Sequence, residues 1–186
     1  MVMPKLNRKQ LILLVAAVVT AVATLLWSQP FVSNKTTPSE QPSTSIESSN
    51  FDYPRPDGWI KLSQTALKDV KAESGLGHGA PPPIGLFLVS VDTSTSLPKN
   101  NDDLKNQALK TIPKNIELIS SGDTTISDQP AIKLTYKITG SQPSKNEVNV
   151  VVYNKKIYYL LVTAAEKDFD SQRADFDRIL TGFKFK

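Results

Sequence analysis

Hydrophobic and polar positions divide this chain into three stretches of different character. From Leu11 to Trp27 only Thr20 and Thr24 interrupt an apolar run, and no charge falls between Gln10 and Asn34. Wound as a helix, the run spans about 26 Å, close to the hydrocarbon thickness of a bilayer. Trp27 and Phe31 stand where interfacial aromatics are expected, and Lys5, Arg8 and Lys9 precede the run. The pattern predicts a cytoplasmic basic flank over 1–9 and a transmembrane signal anchor over 10–31. It places everything after the anchor outside the cytoplasm, on a single-pass protein of the cell membrane. A cleaved signal peptide competes with this reading: Leu11–Thr20 would be its apolar region and Ala21-Val22-Ala23 its cleavage site. The retained anchor is preferred because Leu25-Leu26-Trp27 carries the run past that site.

Residues 32–50 are mostly Ser, Thr, Pro, Gln and Asn with little to bury, so they read as a disordered linker. From Phe51 to Lys186 the pattern changes again. Phe51–Tyr53 and Trp59–Leu62 read as short strands around a Pro-Gly turn. Ser63–Ala72 fits a short helix, Gly75–Pro83 a loop, and Ile84–Val91 a central apolar strand. A helix capped by Asn101 or Asp102 runs to about Ile112, where Pro113 stops it. Ile116–Ser120 and Thr124–Ser127 are predicted strands separated by Gly122-Asp123, and Asp128-Gln-Pro130 a turn. Ile132, Leu134, Tyr136 and Ile138 alternate with polar residues, which predicts a strand with one wet face. Gly140–Asn146 reads as turn, Val148, Val150 and Val152 alternate next, and Asn154-Lys155-Lys156 is a hairpin turn into the apolar strand Ile157–Ala165. Phe169, Phe176, Ile179, Leu180 and Phe183 then share one helical face, with Asp168 or Asp170 as cap and Gly182 as C-cap. Arg173 and Asp177, four apart, are placed to pair on the wet face. Successive hairpins with few helices indicate an α+β fold built on an antiparallel sheet.

Composition narrows the chemistry. The chain has no Cys and a single His, so disulfides, thiolate nucleophiles and most nucleophile–base pairs are out of reach. Residues 1–50 hold four of the 22 basic and two of the 18 acidic side chains, so each part carries +2 of the +4 net charge. The 51–186 domain is thus nearly balanced, and no basic stripe interleaved with aromatics supports nucleic-acid binding. His78 lies in a Gly/Pro-rich stretch and is a candidate ligand or base. Against that stand the missing carboxylate pattern beside it and the ordinary role of an exposed loop residue. Asp168, Asp170, Asp175 and Asp177 invite a cation, but no Gly stands at the bend a calcium loop needs and no Glu closes it. Capping and a solvated face explain them. Tyr136, Tyr153, Tyr158 and Tyr159 form a possible aromatic surface patch, set against ordinary strand packing. His78, Tyr158 and Tyr159 are therefore the candidate binding surface, with no catalytic, metal or cofactor residue assigned.

Three motifs carry a resemblance: Phe51-Asp-Tyr-Pro followed by Gly58-Trp59; Gln129-Pro-Ala131 entering a hairpin; and Tyr158-Tyr159, Ala164-Ala165, Phe176-Asp-Arg-Ile-Leu180 and Gly182-Phe183 closing the chain. Over residues 51–186 the sequence resembles the PsbP-like family, whose founding member is an extrinsic subunit of the photosystem II oxygen-evolving complex. The resemblance implies a central antiparallel sheet with helices on both faces, an α/β/α sandwich, here preceded by one transmembrane helix. Metal-binding members use His and carboxylates, and with one His in the chain no metal site is carried over. The expected function is a non-catalytic, extracytoplasmic binding or assembly module tethered to the membrane, with a protein partner. One alternative is a photosystem II accessory protein, if the source is photosynthetic. Another is a small-molecule or lipid carrier whose Gly75–Pro83 loop gates a pocket.

Overall fold

The structure is a computed structural model that describes residues 44–79, 83–93, 97–111, 116–140 and 142–186. The expected anchor over 10–31 lies outside the described residues, and none of the described helices is long and apolar enough to cross a membrane. In chain order the elements are β1 (Ser45–Glu47), β2 (Phe51–Pro54), β3 (Trp59–Lys61), α1 (Gln64–Asp69), β4 (Ser74–His78), β5 (Gly85–Asp92), α2 (Asn101–Thr111), β6 (Ile116–Ile126), β7 (Gln129–Ile138), β8 (Ser144–Tyr153), β9 (Lys156–Ala165), a 3-10 turn (Asp170–Gln172), α3 (Arg173–Gly182) and β10 (Lys184–Phe185).

The large sheet runs β3-β4-β5-β9-β8-β7-β6, antiparallel at every junction. Two of its hairpins close through pairs of residues at positive φ, Ser127-Asp128 and Asn154-Lys155, the geometry that matches strand twist. The first of these turns lies one residue earlier than the predicted Asp128–Pro130. Proline cannot take a positive φ, so Pro130 is left in β7 opposite Thr125.

Alternation along the central strands feeds two cores. Phe87 and Val89 of β5 and Tyr158, Leu160 and Val162 of β9 join one core, while Leu86, Leu88, Ile157 and Leu161 join the other. The first core is closed by Phe176, Ile179 and Leu180 of α3 and by Phe183. The second is closed by Leu67 of α1 and by Leu104 and Ala108 of α2. Helices therefore cover both faces, as the α/β/α expectation has it.

A second sheet, β1-β2-β10, also lies over the first core; of its strands only β2 matches an expected one, Phe51–Tyr53. Its outer strand falls inside the predicted linker. Ile46 is one of two apolar aliphatic residues in that linker, and it is buried at 7% exposure while Ser45 and Glu47 beside it are more open.

Other expectations are corrected locally. Gly75–His78 is not loop but most of β4. A Cβ on Gly75 would lie 2.8 Å from both Leu88 Cδ2 and the Phe87 carbonyl, so the glycine serves close approach rather than flexibility. This removes the first half of the supposed pocket gate. Gly122-Asp123 does not interrupt β6, whose irregularity sits instead between Leu118 and Ser120. β8 begins at Ser144, inside the predicted turn. Asn100, not Asn101 or Asp102, caps α2: its Oδ1 accepts the Asp103 N–H at 2.9 Å, and Asp103 accepts the Lys99 N–H at 3.0 Å. No aspartate side chain caps α3, which follows the 3-10 turn directly. Gly182 is the last residue of α3 rather than a left-handed cap. A Cβ there would lie 2.6 Å from Pro54 Cγ.

Candidate functional site

The chain's only histidine lies where three strands meet the start of α3. Gly58, at φ +79°, turns the chain into β3, so Trp59 stands directly opposite His78 of β4. The two rings stack, 5.3 Å apart and 11° from parallel. His78 Nδ1 lies 2.5 Å from Gln172 Oε1. An amide oxygen only accepts, so Nδ1 carries the proton and Nε2 is the basic nitrogen. That nitrogen faces Gly58, where an added Cβ would come within 3.1 Å. Trp59 Nε1–H donates to Asp175 Oδ2 at 2.9 Å, and its indole meets Phe176 edge-on at 5.7 Å. A Cβ at Gly85 would touch Gln172 at 3.3 Å and Trp59 at 3.4 Å, so β5 must pass close beneath. The cluster fastens β3, β4 and β5 to α3, and His78 is half-buried within it.

A second polar cluster fastens the other side of α3. Glu147 of β8 is buried, and Arg173 Nη1 reaches its carboxylate at 2.8 Å. Arg173 also pairs with Asp177, as predicted, at 2.5 Å, and Asn149 Nδ2 donates to Glu147 Oε1 at 3.4 Å. Burial works against the Arg173 charge, but its hydrogen bonds to Asp177 and Glu147 outweigh it and hold the guanidinium above its ordinary pKa. Nearby, Lys137 pairs with Glu166, and Lys145 pairs with Asp170 at 3.0 Å while lying over the Phe169 ring. Ion pairs from β7 and β8 thus tie down the segment between β9 and α3.

The four aspartates of the predicted acidic cluster do not act together. Asp170 pairs with Lys145, Asp175 accepts from Trp59, Asp177 pairs with Arg173, and Asp168 contributes its carbonyl to the backbone of the 3-10 turn. The aromatic patch is likewise divided. Tyr158 is 1% exposed, packed edge-on against Phe51 and Phe185 under the small sheet. Tyr159 points to the opposite face, where burial and the charge of Asp92 push its phenol up to about 12. Tyr136 is core, and Tyr153 stacks on Phe185. Successive strand residues face opposite ways, and the strand that covers Tyr158 comes from the far end of the chain.

Sequence reasoning missed Glu147 and Gln172. Glu147 shares the parity of Asn149, opposite to Val148 and Val150, and so reads as solvent-facing until α3 arrives above it. Gln172 carried no signal at all.

The family model described as PsbP matches residues 91–185, a little over half of the 186-residue chain. Among solved structures, the cyanobacterial PsbP (CyanoP) of Synechocystis sp. PCC 6803 aligns with a TM-score of 0.55 at 16% identity, covering 76% of this chain and 91% of that one. LpqN of Mycobacterium tuberculosis, described as involved in cell envelope biogenesis, aligns with a TM-score of 0.53 at 16% identity, covering 78% of this chain and 86% of its own. No curated protein matches by sequence. At these identities the solved structures speak to the fold, and the family match speaks to descent: the chain belongs to the PsbP family.

Proposed function

We propose that this chain is a non-catalytic binding or assembly module, held by its N-terminal segment at the outer surface of the cell membrane. One observation carries the reading. The groups with chemistry to offer are used to hold the C-terminal helix: Trp59, His78, Gln172 and Asp175 on one side, Glu147, Arg173 and Asp177 on the other. Side chains fixed in this way build a rigid surface for a partner and are poorly placed to exchange protons with a substrate. Membership of the PsbP family supports the same reading. The apolar run over 10–31 supports the tether.

The test is a crosslinked pull-down of the full-length tagged chain from its native membranes. A protein recovered in fixed ratio supports the module. If that protein belongs to a photosynthetic complex, the accessory role follows from the recovery. Turnover of a substrate by the purified chain, lost in His78→Ala, would overturn the reading.

A further inference from the structure

We infer that the free edge of β6 is where the partner docks, and that the docking segment is an extended stretch of another protein in which basic residues flank an apolar one. This rests on the assembly reading above and adds to it the surface and the chemistry.

β6 is the last strand of the large sheet, and over Ile116–Ile126 its outer edge has no strand partner among the described residues. The opposite edge, β3, is three residues long. Exposed edges in isolated proteins are blunted by short strands, Pro, β-bulges and charged side chains, above all Lys. β6 is eleven residues long and has no Lys and no Pro in its sequence IELISSGDTTI, and its two charges, Glu117 and Asp123, are both acidic. It has only the irregularity between Leu118 and Ser120, and there Leu118 and Ile119 stand 41% and 45% exposed. A long edge with no strand beside it among the described residues, carrying two exposed apolar side chains, is the arrangement that accepts an added strand.

Charge selects the occupant. Glu117 and Asp123 are exposed on β6, and neither belongs to an ion pair among the described residues. Lys137 stands opposite Glu117 across the ladder and feels its charge, but its hydrogen bond and the larger attraction go to Glu166. An incoming strand therefore gains by placing Lys or Arg beside these carboxylates and an apolar side chain beside Leu118. A second copy pairing through its own β6 would bring the same two acids and no base, and an anionic lipid surface would be repelled.

Two measurements on the full-length chain test this. In detergent, a synthetic peptide containing Lys-Thr-Thr-Thr-Val-Lys is added and amide exchange is followed; its two lysines, five residues apart, face opposite sides of the sheet as Asp123 and Glu117 do, and its Val falls beside Leu118. The expected result is slowed exchange along β6, at least tenfold weaker binding in Glu117→Gln/Asp123→Asn, and no binding of the same peptide with Glu in place of both Lys. Equal binding of both peptides, no binding, or protection along β3 would overturn the assignment. In native membranes, a photo-crosslinking residue replaces Ile119, or Ile60 on the opposite edge as control. A crosslink from 119, and not from 60, to a basic-apolar segment of another protein supports the proposal. A crosslink to a second copy overturns the proposed occupant. A partner recovered by pull-down without any crosslink from 119 overturns the edge and leaves the assembly reading standing. No partner by either route removes both.

Discussion

Glu147 Oε2 lies 2.8 Å from Arg173 Nη1, joining the middle of β8 to the first residue of α3, with the glutamate side chain 5% exposed and the arginine 38%. A buried carboxylate depends on its partner far more than an exposed one does. Arg173→Ala leaves Glu147 uncompensated and is expected to destabilise the domain by about 2–3 kcal/mol, below the fully buried range because Arg173 is partly solvated. Adding Glu147→Leu should recover part of that loss. Urea unfolding of the single and double variants checks this, and a loss under about 0.5 kcal/mol for Arg173→Ala would mean that the pair contributes little.

On the opposite flank, Trp59→Phe keeps a ring against Phe176 but removes the donor to Asp175. The expected cost is about 1–3 kcal/mol, most of it the lost bond to a charged group. Gln172→Ala removes the His78 bond at about 1 kcal/mol. Thermal unfolding reads both. Because both sites hold the start of α3, the combined variant should deviate from additivity.

Two glycines should respond in opposite directions. Gly75→Ala drives a methyl against the Phe87 carbonyl, which cannot swing aside, and is expected to cost about 1–3 kcal/mol. Gly122→Ala meets nothing within 4 Å and should be neutral or stabilising by about 0.5 kcal/mol. Equal effects at the two positions would refute the packing account of β4.

Alkaline pH gives a further check. Burial pushes the Tyr53 phenol up to about 12, partly offset by its bond to Ser74; burial and Asp92 do the same for Tyr159. Burial also raises Tyr136. A raised folded-state pKa favours the neutral phenol. The associated stability is intact below the unfolded value of 10.0 and falls as pH climbs from there towards about 12. Tyrosinate absorbance from these residues should therefore emerge together with unfolding, not ahead of it.

How much of this could be read from sequence depends on the range of the interaction. Alternation at Ile132, Leu134 and Tyr136, the turn at Asn154-Lys155 and the Phe176-Ile179-Leu180 face are local patterns, and each element is present. What failed was non-local. Gly75 and Gly77 read as loop because glycine usually marks one. Only the neighbouring Leu62, Leu86 and Leu88 side chains show why a strand needs them there. β1 and β10 are too short to signal themselves and exist because β2 pairs with both. The Glu147–Arg173 and His78–Gln172 contacts span 26 and 94 positions, beyond any periodicity. Tyr158 and Tyr159 read as one patch because adjacency in sequence hides their separation by the sheet.

A domain that holds a protein partner at the membrane surface should be found with that partner in the membrane. The most direct measurement is the stoichiometry of what crosslinks to the full-length chain in its native membranes, by quantitative mass spectrometry. The account predicts one protein, or one defined complex, in fixed ratio, retained in His78→Ala because that residue serves the fold. An intact chain recovered alone from membranes, or a catalytic turnover that vanishes with His78, would contradict it.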